Sequence, residues 1–217
     1  MILFASDNHY GAYPGRNLYE EIQASYDIEF REDDWSCFET TLSERYELIV
    51  LNMIAATCEV PQPSECAGRE LRNYLLAGGS LLLLHGASAA FWHEAWWREI
   101  VGLRWVRPGD PDAVPKSSHP RRPYEVTVSR SRHPLCKKLK PVSLPTDEIY
   151  IHLEQTCPIY SLMETTTDEG TFVQAYESTT PWGGRILAYL PGHLPEVVRA
   201  PDMVHNVRVL LDDLLGA

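Results

Sequence analysis

The stretch SLLLLHGASAAFWHE, residues 80–94, holds the clearest structural signal in the chain. Four consecutive leucines predict a strand that is buried on both faces, because a half-exposed strand alternates apolar with polar residues. The leucines stop at His85, and the small residues that follow lead into an apolar segment with helical spacing, which predicts a helix from Ala89 to Val101. A buried strand that turns sharply into a helix is where many α/β enzymes place a key side chain.

The residues before this stretch also alternate strands with helices. Apolar runs predict strands at 1–6, 26–30 and 47–54, and a helix is expected near 16–25. Ser64 is suited to cap a further helix, which Gly78 and Gly79 end. Three leucines of that helix are expected to face inward: Leu71, Leu75 and Leu76. Alternation of this kind predicts a parallel sheet with helices on both faces.

The second half of the chain has a different pattern. Residues 103–123 contain five prolines and few apolar residues, so we predict a loop excursion that either covers a pocket or contacts another subunit. Closely spaced strands at 124–129, 158–165, 171–176 and 184–190 indicate a partly antiparallel extension at one side of the sheet. An amphipathic helix over 201–215 follows, with five residues facing inward: Met203, Val207, Leu210, Leu211 and Leu214.

Composition limits the class of protein. With 217 residues and 44% hydrophobic content, we expect a single domain over 1–217. The 19 basic and 30 acidic residues give a formal net charge of −11, which argues against nucleic acids and anionic membranes as partners. No signal peptide or bilayer-spanning run is evident. The five cysteines are scattered without a C-x-x-C pair, which is typical of a reducing compartment, so we expect the cytoplasm.

Polar side chains follow three of the predicted strands. Ligands of open α/β sheets bind beyond the carboxyl ends of the strands, so these residues are candidates for one site. They are Asn8 and His9 after the first strand, His85 and Ser88 after the fourth, and His193 and Glu196 after 184–190. Three histidines at three strand ends predict a convergent cluster of imidazoles.

The segment PTDEIYIH, residues 145–152, adds acidic candidates. Adjacent residues on a strand face opposite sides, so only one of Asp147 and Glu148 is expected to point into a site. Tyr150 lies in the same segment, and His119 in the proline-rich loop is placed to cover a pocket. Trp92 and Trp96 share one helical face, which favours core packing over a sugar-stacking platform.

Several segments together resemble the ThuA-like (trehalose-utilisation) family of the class I glutamine amidotransferase-like superfamily. They are LAGGSLLLLHGASAAFWHEAWWREIVG (76–102), SSHP (117–120), RHPLCKKL (132–139), PTDEIY (145–150) and GGRILAYLPGH (183–193). The resemblance spans about residues 46 to 215. It implies a flavodoxin-like α/β fold and a role in carbohydrate metabolism, on trehalose or related disaccharides and their keto forms.

The superfamily's cysteine nucleophile has no counterpart at the matching position. Amidotransferases carry a G-x-C-x-G elbow, and by alignment residues 83–87 fall on it, with His85 in place of the cysteine. Their catalytic histidine lies in an H-P-E stretch, which GHLPE matches with His193 and Glu196. Thioester chemistry needs a thiolate, so we expect no glutaminase activity. Ser88 is a weak substitute nucleophile, because it would lie one turn into the helix.

These observations lead to one assignment and two alternatives. His85, His193 and Glu148 are assigned to acid–base catalysis on a small-molecule carbohydrate. Substrate binding is assigned to Asn8, His9, His119, Asp147, Tyr150 and Glu196. A non-catalytic sugar-binding or partner-docking module is the first alternative, and a metal-dependent hydrolase using His9, His85, His193 and a carboxylate is the second. No H-x-H or H-E-x-x-H spacing is present, so no metal ligand is assigned, the cofactor is unknown and a homo-oligomer is left open.

Overall fold

A nine-stranded sheet organises the chain in the computed structural model, which describes residues 1–111 and 114–217. The strands are β1 (Ile2–Ser6), β2 (Ile28–Glu32), β3 (Leu48–Asn52), β4 (Ser80–Leu84), β5 (Leu103–Arg104), β6 (Arg121–Val128), β7 (Val142–Glu148), β8 (Glu154–Gln155), β9 (Tyr160–Thr167), β10 (Gly170–Thr179) and β11 (Arg185–Tyr189). The α-helices are α1 (Pro14–Ile22), α2 (Leu42–Arg45), α3 (Glu65–Leu76), α4 (Ala95–Ile100), α5 (Pro195–Val198) and α6 (Pro201–Leu215).

The order of the main sheet is β2-β1-β3-β4-β11-β10-β9-β6-β7. The first five strands in this order pair in parallel, and the remaining pairs are antiparallel. Strand β11 therefore joins the two halves, parallel to β4 on one side and antiparallel to β10 on the other. The predicted mostly parallel sheet with an antiparallel C-terminal extension is confirmed.

Two hydrophobic layers cover the sheet, one on each face. Leu81 and Leu83 of β4 pack in the layer that contains α3 and α4, while Leu82 and Leu84 pack in the layer of α1 and α6. Successive side chains of a strand point to opposite faces, which is why the run of leucines needs no polar interruption. The flavodoxin-like α/β class, with helices on both faces, is confirmed.

The prediction of one helix from Ala89 to Val101 was wrong. The chain forms a 3-10 turn over His85–Ala89, and α4 begins only at Ala95, after Glu94 in an extended conformation. Tertiary contacts override the helical spacing here, because Trp97 Nε1 reaches back to donate to the Ser88 carbonyl oxygen at 2.8 Å.

Two further expectations need adjustment. Leu76 was expected inside, but it ends α3 with 48% of its surface exposed. In the terminal helix the first four predicted residues are buried and Leu214 is half-buried.

The proline-rich segment 103–123 is partly ordered by pairing. Its first two residues form β5, which pairs with β8 in a small separate sheet, and its last three lie in β6. Residues 112 and 113 of this predicted loop lie outside the described residues. In the part of the chain that is described, no helix has the length and apolar character needed to cross a bilayer.

A substitution at Gly184 tests the close approach of β4 and β11. A Cβ at Gly184 would lie 2.1 Å from the backbone oxygen of Gly79, so the two strands could not begin side by side. We expect Gly184→Ala to lower the free energy of unfolding by about 2 kcal/mol, measured by urea denaturation. Gly109→Ala is the control, because its Cβ would meet nothing within 4 Å. Equal midpoints for the two variants would contradict the close approach.

Candidate active site

The pairing of β4 with β11 brings His85 and His193 together. Leu84 is in register with Tyr189, so the residues that follow the two strands emerge at the same edge of the sheet. His85 has a left-handed backbone, with φ of 52°, which is uncommon for a residue other than glycine. This sharp turn has the form of the predicted elbow, with an imidazole at its tip.

The hydrogen bonds of these two imidazoles run in one direction. Arg121 Nη2 lies 2.6 Å from His193 Nε2 and can only donate, so the proton of neutral His193 is on Nδ1. His193 Nδ1 lies 3.1 Å from His85 Nε2, which we assign as the acceptor. His85 Nδ1 then donates to the Leu190 carbonyl oxygen at 3.0 Å. The series Arg121, His193, His85, Leu190 therefore fixes the tautomer of both rings.

Glu148, at the end of β7, places its carboxylate beside this series. Its Oε2 lies 3.4 Å from His85 Nε2 and 3.6 Å from His193 Nδ1. The same oxygen accepts from His119 Nδ1 at 3.1 Å, and Oε1 accepts from Arg121 Nε at 3.0 Å. Glu148 is thus the acidic partner of the imidazoles.

Asp147 is buried next to Glu148 and has a different role. Its two oxygens accept from the backbone N–H groups of Gly192 and His193, at 2.7 and 3.0 Å. The expectation that only one of the two carboxylates faces the site is met, because Glu148 lines the cavity and Asp147 is occupied by the backbone. Asp147 therefore holds the loop that carries His193 in place.

The protonation states of the cluster follow from burial and charge. Burial raises the pKa of Glu148, but the hydrogen bond from His119 and the neighbouring imidazole of His85 outweigh it and hold that pKa far below its usual range. Burial, together with the neighbouring His85, lowers the pKa of His193 to about 4, so its ring is neutral at pH 7. The hydrogen bond to Glu148 raises the pKa of His119, against the effect of its partial burial.

His9 adds a third buried imidazole. Its ring centroid lies 5.1 Å from that of His85 and 6.1 Å from that of His193. His9 Nδ1 lies against the carboxylate of Asp7, which also accepts the backbone N–H groups of His9 and Ile54. Among the described residues His9 Nε2 has no hydrogen-bond partner, although the side chain is only 2% exposed.

These groups line a cavity of about 170 Å³. The predicted residues in its lining are His9, His85, His119, Glu148, Tyr150 and His193. The Tyr150 hydroxyl lies 3.5 Å from His85 Nε2. A larger cavity of about 450 Å³ shares Tyr150 as a wall, but it contains neither His85 nor His193 nor Glu148.

Three predicted substrate-binding residues lie elsewhere. Asn8 donates its side-chain amide to Asp33 and to the Cys58 carbonyl oxygen, which ties two loops together. Glu196 is exposed on α5, outside the cavity lining, and Asp147 is used by the backbone. Asn8 and Asp147 each directly precede a cavity residue, and Glu196 lies three residues after His193, which is why sequence position alone assigned them to the site.

Sequence reasoning missed three polar or aromatic side chains of the site, one beside the histidines and two in the cavity lining. Arg121 faces Glu148 across β6 and β7, a cross-strand pair that an alignment of the two strands would have suggested. Trp105 and Arg107 come from the proline-rich segment and carry no spacing signal. The loop therefore lines the cavity through Trp105, Arg107 and His119.

Ser88 and Cys58 are poorly placed to act as nucleophiles in the His85 cavity. The Ser88 hydroxyl is buried without a hydrogen-bond partner in the described chain, and Ser88 does not line the His85 cavity. Cys58 follows the cavity residue Thr57, but burial raises the pKa of its thiol to about 11, so the thiol stays protonated.

Comparisons with known proteins agree with this fold. The family model described as "Trehalose utilisation" (ThuA) matches residues 8–208. A ThuA-like protein from Parabacteroides merdae is 20% identical with a TM-score of 0.75, covering 99% of this chain and 89% of its own. A second, from Bacteroides uniformis, is 13% identical with a TM-score of 0.71 and coverages of 98% and 89%.

A glutamine amidotransferase from Thermotoga maritima has the same fold, at 10% identity, a TM-score of 0.56 and coverages of 100% and 98%. No curated protein sequence matches the chain. The chain therefore has a glutamine amidotransferase-like fold, with a sharp left-handed turn at His85 after β4. The chain belongs to the ThuA family.

The ion pair between His119 and Glu148 can be tested through the pKa of His119, which the Glu148 carboxylate raises. In Glu148→Gln the negative charge is gone, while burial and Arg121 still disfavour protonation of His119. We expect the pKa of His119 to fall by at least about 1, followed by NMR of the histidine side chains against pH. Glu99→Gln, on the exposed face of α4, is the matched control and should leave that pKa unchanged. If the pKa of His119 is unchanged in Glu148→Gln, the ion pair between His119 and Glu148 is absent in solution.

Proposed function

We propose that this ThuA-family protein binds a carbohydrate in the His85 cavity and performs histidine-based acid–base chemistry on it. The observation that carries the proposal is the series Arg121, His193, His85, Leu190, with the ionised Glu148 beside it. Buried imidazoles with fixed tautomers and a carboxylate partner are typical of proton-transfer sites.

The cavity suits a single sugar ring. At about 170 Å³ it is smaller than the roughly 300–1,000 Å³ of sites for drug-sized ligands, so one unit of a disaccharide would enter and the other would remain outside. Trp105 and Tyr150 present aromatic surfaces at a centroid distance of 5.6 Å, and imidazole nitrogens supply hydrogen-bond partners for hydroxyls. The description of the family, "Trehalose utilisation", supports trehalose as the ligand, and we extend the proposal to related disaccharides and their keto forms.

The hydrogen-bond series provides a base. His193 Nδ1–H has two acceptors within reach, His85 Nε2 at 3.1 Å and Glu148 Oε2 at 3.6 Å. When it turns to Glu148, His85 Nε2 is free to take a proton from a sugar hydroxyl, or from carbon next to a keto group. The resulting imidazolium keeps its bond to Leu190 and lies 3.4 Å from the Glu148 carboxylate, which stabilises it until the proton returns to a substrate oxygen.

Glutamine hydrolysis is not part of the proposal. The elbow position holds His85, and an imidazole there cannot form the thioester on which the amidotransferase reaction depends. The cytoplasm remains our proposed compartment, supported by five cysteines that are all free.

His85→Asn tests whether the site is catalytic. Asparagine tolerates the left-handed backbone at this position but cannot accept a proton near neutral pH, so we expect turnover of the sugar to fall by at least about 100-fold. Affinity should change much less. A ligand at a hundredfold excess over its dissociation constant should raise the melting temperature of both proteins by about 5–10 °C.

The panel for this test contains trehalose, other disaccharides and their 3-keto forms. Ser88→Ala is the control, and it should keep full turnover because Ser88 lies outside the cavity. If the wild type binds a sugar without turning it over, the protein is a sugar-binding module and the enzyme proposal is wrong. If no sugar binds, the carbohydrate proposal fails.

A metal-dependent hydrolase is the second candidate. One nitrogen each from His85 and His193 and one oxygen of Glu148 lie within 4.8 Å of one another, a set that zinc accepts. His193 Nδ1 must lose its proton to bind an ion, and Nε2 must then carry it, facing the Arg121 donor at 2.6 Å. The arrangement therefore fits zinc only if Arg121 moves away.

This conflict predicts the effect of removing Arg121. We expect zinc to bind Arg121→Gln at least about tenfold more tightly than the wild type, measured by calorimetry. Arg122→Gln is the control, because Arg122 lies next to Arg121 on β6 but its guanidinium pairs with Glu169. Stoichiometric zinc in the purified wild type, with activity lost on chelation, would instead favour the metal-dependent reaction.

A further inference from the structure

We propose that Arg107 binds an anionic group of the substrate, so that the carbohydrate is an acidic one that carries a carboxylate or a phosphate. The inference rests on the proposed function, because it assumes that the ligand occupies the His85 cavity. It goes beyond that function by assigning the chemical class of the ligand and a residue that selects it.

Arg107 is held at the cavity by its neighbours. Its guanidinium carbon lies 3.9 Å from the centroid of the Trp92 ring, and Trp92 Nε1 donates to the Ala55 carbonyl oxygen at 3.1 Å. The Arg107 backbone N–H donates to Asp110 Oδ2 at 2.7 Å, which fixes the loop on the other side. Arg107 then lines the same cavity as His9, His85 and Glu148.

Arg107 has no ion-pair partner in the described part of the chain. Among the described residues its guanidinium makes no ion pair, and its Nε is buried without a hydrogen-bond partner. The nearby Asp110 carboxylate accepts from the Arg104 guanidinium at 2.9 Å instead. Partial burial lowers the pKa of Arg107, which is a sign that its charge is poorly compensated.

The other charged groups of the cavity are already paired. Glu148 contacts Arg121 through one oxygen and His119 through the other. Asp7 is buried against His9. The cavity lining therefore contains one guanidinium that makes no ion pair among the described residues and whose charge Asp110 offsets only in part, in a chain whose net charge is −11.

An anion is the ligand group that best offsets this arrangement. A half-buried cation without a partner costs free energy, and a neutral hydroxyl recovers less of it than a charge-assisted hydrogen bond does. The stacked Trp92 ring occupies one face of the guanidinium but leaves the N–H edge free, and that edge matches the paired oxygens of a carboxylate or a phosphate. Uronic acids and sugar phosphates share this chemistry.

The experiment compares neutral and anionic probes by calorimetry. Glucose and trehalose are the neutral probes; glucuronate, glucose 6-phosphate and trehalose 6-phosphate are the anionic ones, and inorganic phosphate and acetate test the anion alone. In the wild type we expect the anionic sugars of one class to bind about 10- to 100-fold more tightly than their neutral forms. If glucuronate has this advantage, the site selects a carboxylate; if the sugar phosphates have it, the site selects a phosphate.

Two variants assign the preference to Arg107. Arg107→Gln should remove the advantage of the anionic sugars and leave the affinity for neutral sugars within about twofold. Arg107→Lys keeps the charge but loses the planar edge, so it should retain part of the advantage. Arg122→Gln is the control, and it should behave as the wild type because its guanidinium pairs with Glu169 away from the cavity lining.

The outcomes separate this inference from the proposed function. Equal binding of neutral and anionic sugars, or a preference that survives in Arg107→Gln, overturns the inference and leaves the carbohydrate site standing. Phosphate or acetate binding that depends on Arg107, without binding of any sugar, keeps the anion site and overturns the carbohydrate proposal. Absence of binding by every probe overturns both.

Discussion

The parallel ladder between β4 and β11 is the interaction on which the site depends. It aligns Leu84 with Tyr189, so that two turns distant in sequence emerge together and His85 can donate to the Leu190 carbonyl oxygen. Gly184 permits this ladder, because a Cβ there would lie 2.1 Å from the Gly79 backbone oxygen where the two strands begin. The same strand β11 pairs on its other side with the antiparallel half of the sheet, so the histidine pair lies at the junction of the two halves.

The antiparallel half of the sheet contributes the carboxylates that lie beside the imidazoles. Strand β7 is the edge strand, four positions from β11 in the sheet order, yet Asp147 and Glu148 at its end contact the residues that follow β11. Its position at the edge also explains why Pro145 is tolerated, since an edge strand leaves one row of backbone groups unpaired. Asp147 holds the His193 backbone in position, while the neighbouring Glu148 places its negative charge beside the imidazole rings.

The turn after β4 presents an imidazole where the alignment with amidotransferases places a cysteine. A thiol at this position would attack a carbonyl carbon, whereas the orientation of the His85 imidazole by Leu190 and His193 suits the proton transfer that we propose. Arg121 and Glu148 fix the tautomer and the charge around the rings, and the proline-rich loop contributes Trp105, Arg107 and His119 to the cavity. The proposed reaction would use both features, because proton transfer needs matched partners and a bound substrate.

The sequence by itself determined the α/β class, the strand at 80–84 and the convergence of His9, His85 and His193, because burial periodicity and the rule for strand ends are local signals. It assigned Glu148 to catalysis and Glu196 to substrate binding, but it did not show that the helix after His85 begins only at Ala95, nor that Glu148 contacts both imidazoles while Glu196 lies outside the cavity. Only the tertiary structure decided these contacts, because the path of β7 and the placement of Arg121 and Arg107 depend on pairing between segments far apart in the chain.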